Sequence, residues 1–333
     1  MESMYSLLKD LIDIESISGN EYKVCEYLEK YLIKNNWKIK LQKINDTSYN
    51  LFAYVNNENP ETILCTHMDT VPPFFESYED ETYIYGRGSC DAKCHIVTMI
   101  YACNKLIDDG YKDLGLLFTA SEETDHTGIK KANELNLTPK NFIVGEPTNL
   151  KLMISQKGCI NGSIECFGKK SHSGYPDKGD CAISKLVDIL YTITNYKDFP
   201  SNDVDGDTYF NYYIKNGGVA SNVINDYASA EFCIRCPVDT SIIREKLRDI
   251  VGIKGKLNID ACGEPIKLKK IDNFDYDIAS YVTDLSHFKC KYNRLLFGAG
   301  SIFDAHTNNE KVNKKDLIIA VEKYIEMIKY LIN

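Results

Sequence analysis

Short apolar runs alternate with stretches of helical period from Glu2 to Val144; the pattern breaks near Ser155 and resumes near Arg294. Helices are expected over 2–14, 21–35 and 92–108, and from Thr127 onward, with Leu7, Leu8, Leu11 and Ile12 sharing one face of the first. Between them, strands are expected at 51–55, 62–65, 114–120 and 142–144. Strand–helix alternation of this kind builds an α/β layer, a mixed sheet with helices on both faces. At 333 residues the chain exceeds one comfortable core, so two domains are expected.

The middle third has a different grammar. Strand patterns at 159–167, 208–214, 227–236 and 256–259 enclose helical patterns at 180–195 and 240–250. That order, βαββαβ, is the split βαβ or ferredoxin-like sandwich. A strand near 294–297 and a closing amphipathic helix from Lys315 then return to α/β grammar. The expected organisation is a discontinuous α/β domain, 1–155 and 269–333, with a small α+β domain, 156–268, inserted into it.

Composition narrows the functions. The balance of 39 basic and 48 acidic residues gives a formal charge of −9. Without a basic face to neutralise phosphates, nucleic acid is not an expected partner. No apolar stretch approaches the ~20 residues of a membrane span, and Met1 leads directly into a charged amphipathic segment, so a cytoplasmic protein is expected. In that setting the twelve cysteines read as free, packed thiols. Cys233 and Cys236 form a lone C-x-x-C inside a strand pattern, and packing is the expected role of both.

Charged residues collect where apolar runs end. His67 closes ILCTH, and Asp69 follows at a spacing that can orient an imidazole as a metal ligand. Asp91, in YGRGSCDAK, stands at a helix entrance, where an N-cap is the plain alternative. Glu122 and Glu123 directly follow the strand LGLLFTA, and Glu146 follows another. His306 lies in the glycine-flanked loop GAGSIFDAHTNNE after a strand. Adjacent carboxylates at strand ends are unfavourable unless a cation holds at least one. Two histidines and three carboxylates suit a two-zinc centre, leaving Glu122 as a base. His95, His126 and His287 read as structural.

The stretches THMDTVPP, YGRGSCDAK, FTASEET, VGEPTN, GKKSHSGYPDKGDCAI, GGVASNVI and AGSIFDAHTNNE resemble, in order, the metal-dependent aminoacylase and glutamate-carboxypeptidase family of zinc peptidases. The resemblance implies a zinc-exopeptidase-like catalytic domain and an inserted lid that also dimerises. It implies two divalent ions, zinc foremost, with cobalt or manganese as alternatives. His67 and Glu146 would bind one ion, Glu123 and His306 the other, and Asp91 would bridge them. Asp69 would orient His67, and Glu122 would exchange protons with the bridging water and the leaving amine. His172 falls on a lid histidine that steadies the oxyanion, often across a dimer. Asn222 and Arg235 match lid positions that bind substrate and its carboxylate.

Four positions depart from the family pattern. Cys94 and His95 stand where glycines are usual, Asn225 and Ala299 where prolines are. The first pair could repack the bridging aspartate or place a soft ligand beside it. No G-x-S-x-G elbow is present for a serine hydrolase. The activity implied is deacylation of a small N-acyl amino acid, with GAGSIFDAH most like acetylornithine deacetylase. A dipeptidase, a succinyl-diaminopimelate desuccinylase, a carrier-protein lysine or ornithine hydrolase, and an inactive ligand-binding homologue remain open.

Overall fold

A computed structural model describes residues 2–289 and 293–332. The chain forms two compact units. The first comprises residues 1–154, 268–277 and 283–333; the second, 155–267 and 278–282.

The first unit is built on a mixed six-stranded sheet. Its order is Lys38–Lys43, Tyr49–Tyr54, Leu114–Thr119, Thr62–His67, Asn141–Val144, Asn293–Leu296. The last four strands run parallel, and the first two pair antiparallel. Every residue of Thr62–His67 and of Leu114–Thr119 is buried, as central parallel strands covered on both faces require. Pairing aligns His67 with Thr119, so the two strands end at the same level.

Helices α1 (Glu2–Ile12), α2 (Tyr22–Lys34), α3 (Lys93–Asp108), α4 (Thr127–Ala132) and, beyond the second unit, Lys314–Ile332 pack around this sheet. Helix α3 is buried on nearly all sides, from Lys93 through Leu106, because it packs against α1, the sheet and the last helix. Its buried Lys93 donates from Nζ to the Leu11 and Ile14 carbonyls at 2.8 and 2.7 Å, capping the end of α1. That cap explains why α1 stops at Ile12, two residues before the expected end. Burial pushes the Lys93 ammonium down to about 7. In the last helix Leu317, Ala320, Tyr324, Met327 and Ile328 form one apolar stripe at helical spacing.

The strand Lys38–Lys43 was not expected from the sequence. It lies at the sheet edge: Ile39 and Leu41 alternate with Lys38, Lys40 and Gln42, but no residue of the strand is fully buried, and exposed lysines guard the edge. A small sheet of Tyr78–Glu79, Tyr83–Tyr85 and Lys311–Asn313 was also missed, its strands being too short to show a period.

The second unit carries the βαββαβ order. An antiparallel sheet runs Tyr209–Asn216, Tyr227–Cys236, Gly158–Phe167, Lys256–Gly263. Helices α5 (Ala182–Thr194) and α6 (Thr240–Val251) cover one face. Leu186, Ile189, Leu190 and Ile193 of α5 are buried against Ile160, Ile164, Phe232 and Ile234. Each such side chain contributes about 2 kcal/mol of burial, which fixes α5 to the sheet. Asp239 caps α6 by accepting from the Ser241 amide at 2.8 Å. The last strand runs to Gly263, past the expected Ile259, because a bulge at 259–261 lets pairing continue. No helix among the described residues is long and apolar enough to cross a membrane.

Candidate metal centre

Because four strands are parallel, their C-terminal ends share one edge of the first unit's sheet, where α/β folds gather their chemistry. His67 ends its strand there. Glu122 and Glu123 follow Leu114–Thr119, Glu146 follows Asn141–Val144, and His306 follows Asn293–Leu296. Asp91 enters from the loop before α3. The structure brings His67, Asp91, Glu123 and His306 into direct contact. His67 Nε2 lies 3.0 Å from Asp91 Oδ1, and His306 Nε2 lies 3.3 Å from Asp91 Oδ2 and 2.9 Å from Glu123. Asp91 thus turns one oxygen to each histidine.

The His67 tautomer follows from its other nitrogen. Nδ1 lies 2.9 Å from the Asp69 backbone oxygen, which can only accept, so Nδ1 carries a hydrogen. In the neutral ring Nε2 then turns a lone pair toward Asp91 Oδ1, acceptor against acceptor at 3.0 Å. That juxtaposition is stable only with a positive charge between or upon the two groups. Burial opposes charge on His67, but Asp69 and Asp91 outweigh it and push its pKa well up. Asp91 and Glu123 likewise push His306 up to about 10. Asp91 is opposed by burial yet held far below the usual carboxylate range by His306 and His67.

The remaining carboxylates resist ionisation. Burial first, then Glu146 and other nearby acids, push Glu122 well up; burial and Asp91 push Glu146 well up and raise Glu123. Glu146 Oε1 is buried and finds no hydrogen-bond partner. An orphaned buried oxygen among crowded acids and imidazoles fits divalent cations. A tetrahedral ion with ligands at ~2.0–2.1 Å separates its donors by about 3.3 Å, close to the spacings above. The donors present therefore fit the group that the sequence resemblance implies.

Asp69 faces His67 through both its backbone oxygen and its carboxylate. Its backbone oxygen, rather than its carboxylate, makes the shorter contact to His67; the carboxylate stands at 3.4 Å. The carboxylate also accepts from the Glu122 and Glu123 amides at 3.0 and 3.1 Å and from Ser18 Oγ at 2.7 Å. It holds the loop bearing both glutamates.

Several residues with a part in the site were missed. Glu310, fully buried, accepts from the amides of Gly88, Cys90 and Asp91 at 2.9–3.0 Å, and from Arg87 Nη1 at 2.5 Å. It ties the loop of Asp91 to the segment after His306. Both partners lay in quoted motifs, YGRGSCDAK and AHTNNE, but only pairing across more than two hundred residues gives them meaning. Breaking a buried ion pair from one side costs about 3–5 kcal/mol. Glu310→Gln is therefore expected to lower unfolding free energy by about 3 kcal/mol and weaken metal retention together, as read by urea titration and metal analysis. Unchanged stability would remove this role.

His126, read as structural from the sequence, contacts the site. Its Nδ1 lies 3.1 Å from Asp284 Oδ1 and 3.5 Å from Glu122 Oε1, and Thr119 Oγ1 donates to Asp284 Oδ2 at 2.7 Å. The sequence hid this because Asp284 is 158 residues away. His287 packs its ring 4.5 Å from that of His126, and burial pushes it down to about 4. His95 is buried with neither ring nitrogen bonded. Gly145 and Gly298 make room for it: a Cβ at Gly298 would lie 2.4 Å from its ring. Cys94 donates to the Cys90 carbonyl at 3.2 Å, and burial pushes its thiol well up.

In the second unit, exposed His172 pairs in register with Val223, and its Nδ1 accepts from the Gly174 amide at 3.0 Å. The Asn222 carbonyl accepts from the Ser173 amide at 3.0 Å, so these two residues share one loop cluster. Asn225, in place of a proline, accepts from the Val219 amide and closes the same loop. Arg235 lies in the strand Tyr227–Cys236, opposite Tyr209 and Cys159.

The sequence profile of Peptidase family M20/M25/M40 matches residues 63–330. A peptidase M20 domain-containing protein of Schizosaccharomyces pombe is 34% identical over 340 residues, covering 99% of this chain and 85% of that protein. An Aspergillus flavus protein named "Probable carboxypeptidase" is 31% identical over 370 residues, covering 97% of this chain and 86% of that protein. The solved structure of a tripeptidase from Staphylococcus aureus aligns with a TM-score of 0.82 at 19% identity, over 98% of this chain and 97% of that one. That last likeness concerns the fold, a mixed α/β architecture. The profile and the two relatives together extend along nearly the whole sequence, and this chain belongs to peptidase family M20/M25/M40.

Proposed function

We propose that the protein is a two-metal hydrolase that cleaves the amide bond of a small, carboxylate-bearing amino-acid derivative. The observation that carries this reading is Asp91, with one oxygen facing His67 and the other facing His306. His67 and Glu146 would hold one ion, Glu123 and His306 the other, and Asp91 both. Bound there, the ions, zinc foremost, would polarise the scissile carbonyl and activate water.

The chain's own groups supply the rest. Glu122, its amide held by Asp69 and its carboxylate beside His126, is the base. It accepts a proton from the attacking water and delivers it to the departing nitrogen, so a carboxylate whose pKa is raised by burial suits both halves. His172 would donate to the oxyanion, Asn222 would bind substrate, and Arg235 would pair with its carboxylate through a two-pronged fork. A homodimer formed through the inserted domain is part of this reading, checked by mass in solution.

Two substrate classes fit this chemistry. One is an N-acyl amino acid such as N-acetylornithine, suggested by the run GAGSIFDAH. The other is a short peptide opened beside its free carboxylate, supported by the name "Probable carboxypeptidase" of the Aspergillus flavus relative. Amine release from N-acetyl amino acids, N-succinyl-diaminopimelate, dipeptides and tripeptides decides between them. Release is expected to vanish on chelation and return with zinc, cobalt or manganese. Release indifferent to chelation, or none from metal-loaded protein across the panel, would overturn the reading.

A further inference from the structure

In a strand, residues three apart face opposite sides, so Cys233 and Cys236 cannot act together. Cys236 packs with Phe232 and Ile234 beneath α5 and α6. Cys233, with Glu231 and Arg235, takes the other face. There it meets a different thiol. The neighbouring strand sets Asn161 opposite Cys233 and Cys159 opposite Arg235. Cys159 and Cys233 are thus diagonal neighbours on one face, their sulfurs 3.7 Å apart. Cys159 is 7% exposed, whereas Cys233 is half-buried and opens onto a polar groove lined by Asn161, Asn211, Glu231 and Asp260.

We infer that Cys233 and Cys159 form a modification site, a dithiol oxidised to a disulfide by hydrogen peroxide. Thiols buried in apolar surroundings are inert, whereas a partly exposed thiol beside a cation is reactive. Here the Cys159 hydrogen bond, and then the Arg235 charge, outweigh partial burial and lower the Cys233 thiol, favouring its thiolate. Cys159 is pushed the other way and keeps its proton. The Cys233 thiolate attacks one peroxide oxygen, the O–O bond breaks, and the departing hydroxide takes a proton and leaves as water. Cys233 is then a sulfenic acid. Cys159 attacks its sulfur, the S–O bond breaks, and hydroxide leaves with the thiol proton as a second water. Two thiols lose two electrons, and one hydrogen peroxide becomes two waters.

The consequence falls on Arg235, which directly opposes Cys159 and lies two residues from Cys233. Forming the bond removes the thiolate beside the guanidinium and draws the two strands' side chains together. Through the carboxylate-binding role of Arg235 proposed above, on which this second effect rests, KM would rise severalfold while kcat stays within about twofold, since uniform binding is what is lost.

The test treats full-length, metal-loaded protein with one equivalent of hydrogen peroxide, alkylates the remaining thiols and maps peptides by mass. The expected product is a Cys159–Cys233 cross-linked peptide, two hydrogens lighter, which dithiothreitol reverses. Cys233→Ser abolishes it, and Cys159→Ser, the second variant, leaves Cys233 as sulfenic or sulfinic acid. Both cysteines recovered alkylated at the untreated yield, or Cys233 over-oxidised with Cys159 free in the wild type, overturns the proposal. A disulfide formed with KM unchanged upholds the dithiol and counts against the role given to Arg235.

Discussion

Glu122→Gln is expected to lower kcat about 10²–10⁴-fold while the metal content stays at the wild-type value. The amide is nearly isosteric, so the loop keeps its shape. That loop is held by backbone amides donating to Asp69, which the substitution leaves alone. What disappears is the ability to take a proton from water and return it to nitrogen. KM should change little, because the missing interaction belongs to the transition state. Steady-state kinetics beside metal analysis measures both halves. Activity near wild type would end the assignment of Glu122 as base; loss of an ion along with activity would make it a ligand.

Asp91→Asn has the second large effect, and it is expected to touch both ions at once. Each carboxylate oxygen faces a different histidine, so one substitution weakens two sites. His306→Ala, by contrast, removes a donor from one. After dialysis against micromolar zinc, the aspartate variant should retain close to no metal and the histidine variant about one ion, with affinity falling at least ~100-fold at each affected site. Turnover should fall to background in Asp91→Asn. Two ions retained by that variant would refute the bridging role of Asp91.

Much of the site is legible in the residues because of where strands end. His67, Glu122, Glu123 and Glu146 each end or follow a run whose apolar character marks a buried parallel strand. In such sheets the C-terminal ends lie along one edge, so local pattern alone predicts convergence. The edge strand Lys38–Lys43 escaped because its alternation is short, with only Ile39 and Leu41 apolar and neither fully buried.

Contacts made by carboxylates and thiols far apart in sequence were not legible. The distance between Asp69 and the Glu122 amide spans 53 residues, that between Glu310 and the Asp91 amide 219, and that between Cys159 and Cys233 74. No periodicity links such pairs, since each depends on strand register and on which loop passes over which. The sequence by itself determined that this chain builds an α/β layer interrupted by a βαββαβ segment, and which residue types stand at its strand ends, because burial imposes short-range patterns. Only the tertiary structure decided what each group does there: that Asp69 holds a loop, that Glu310 anchors Asp91, that His126 touches Glu122, and that Cys233 finds Cys159 instead of Cys236. Hydrogen bonds and sulfur contacts act over about 3–4 Å, and packing alone brings groups from distant parts of the chain within that range.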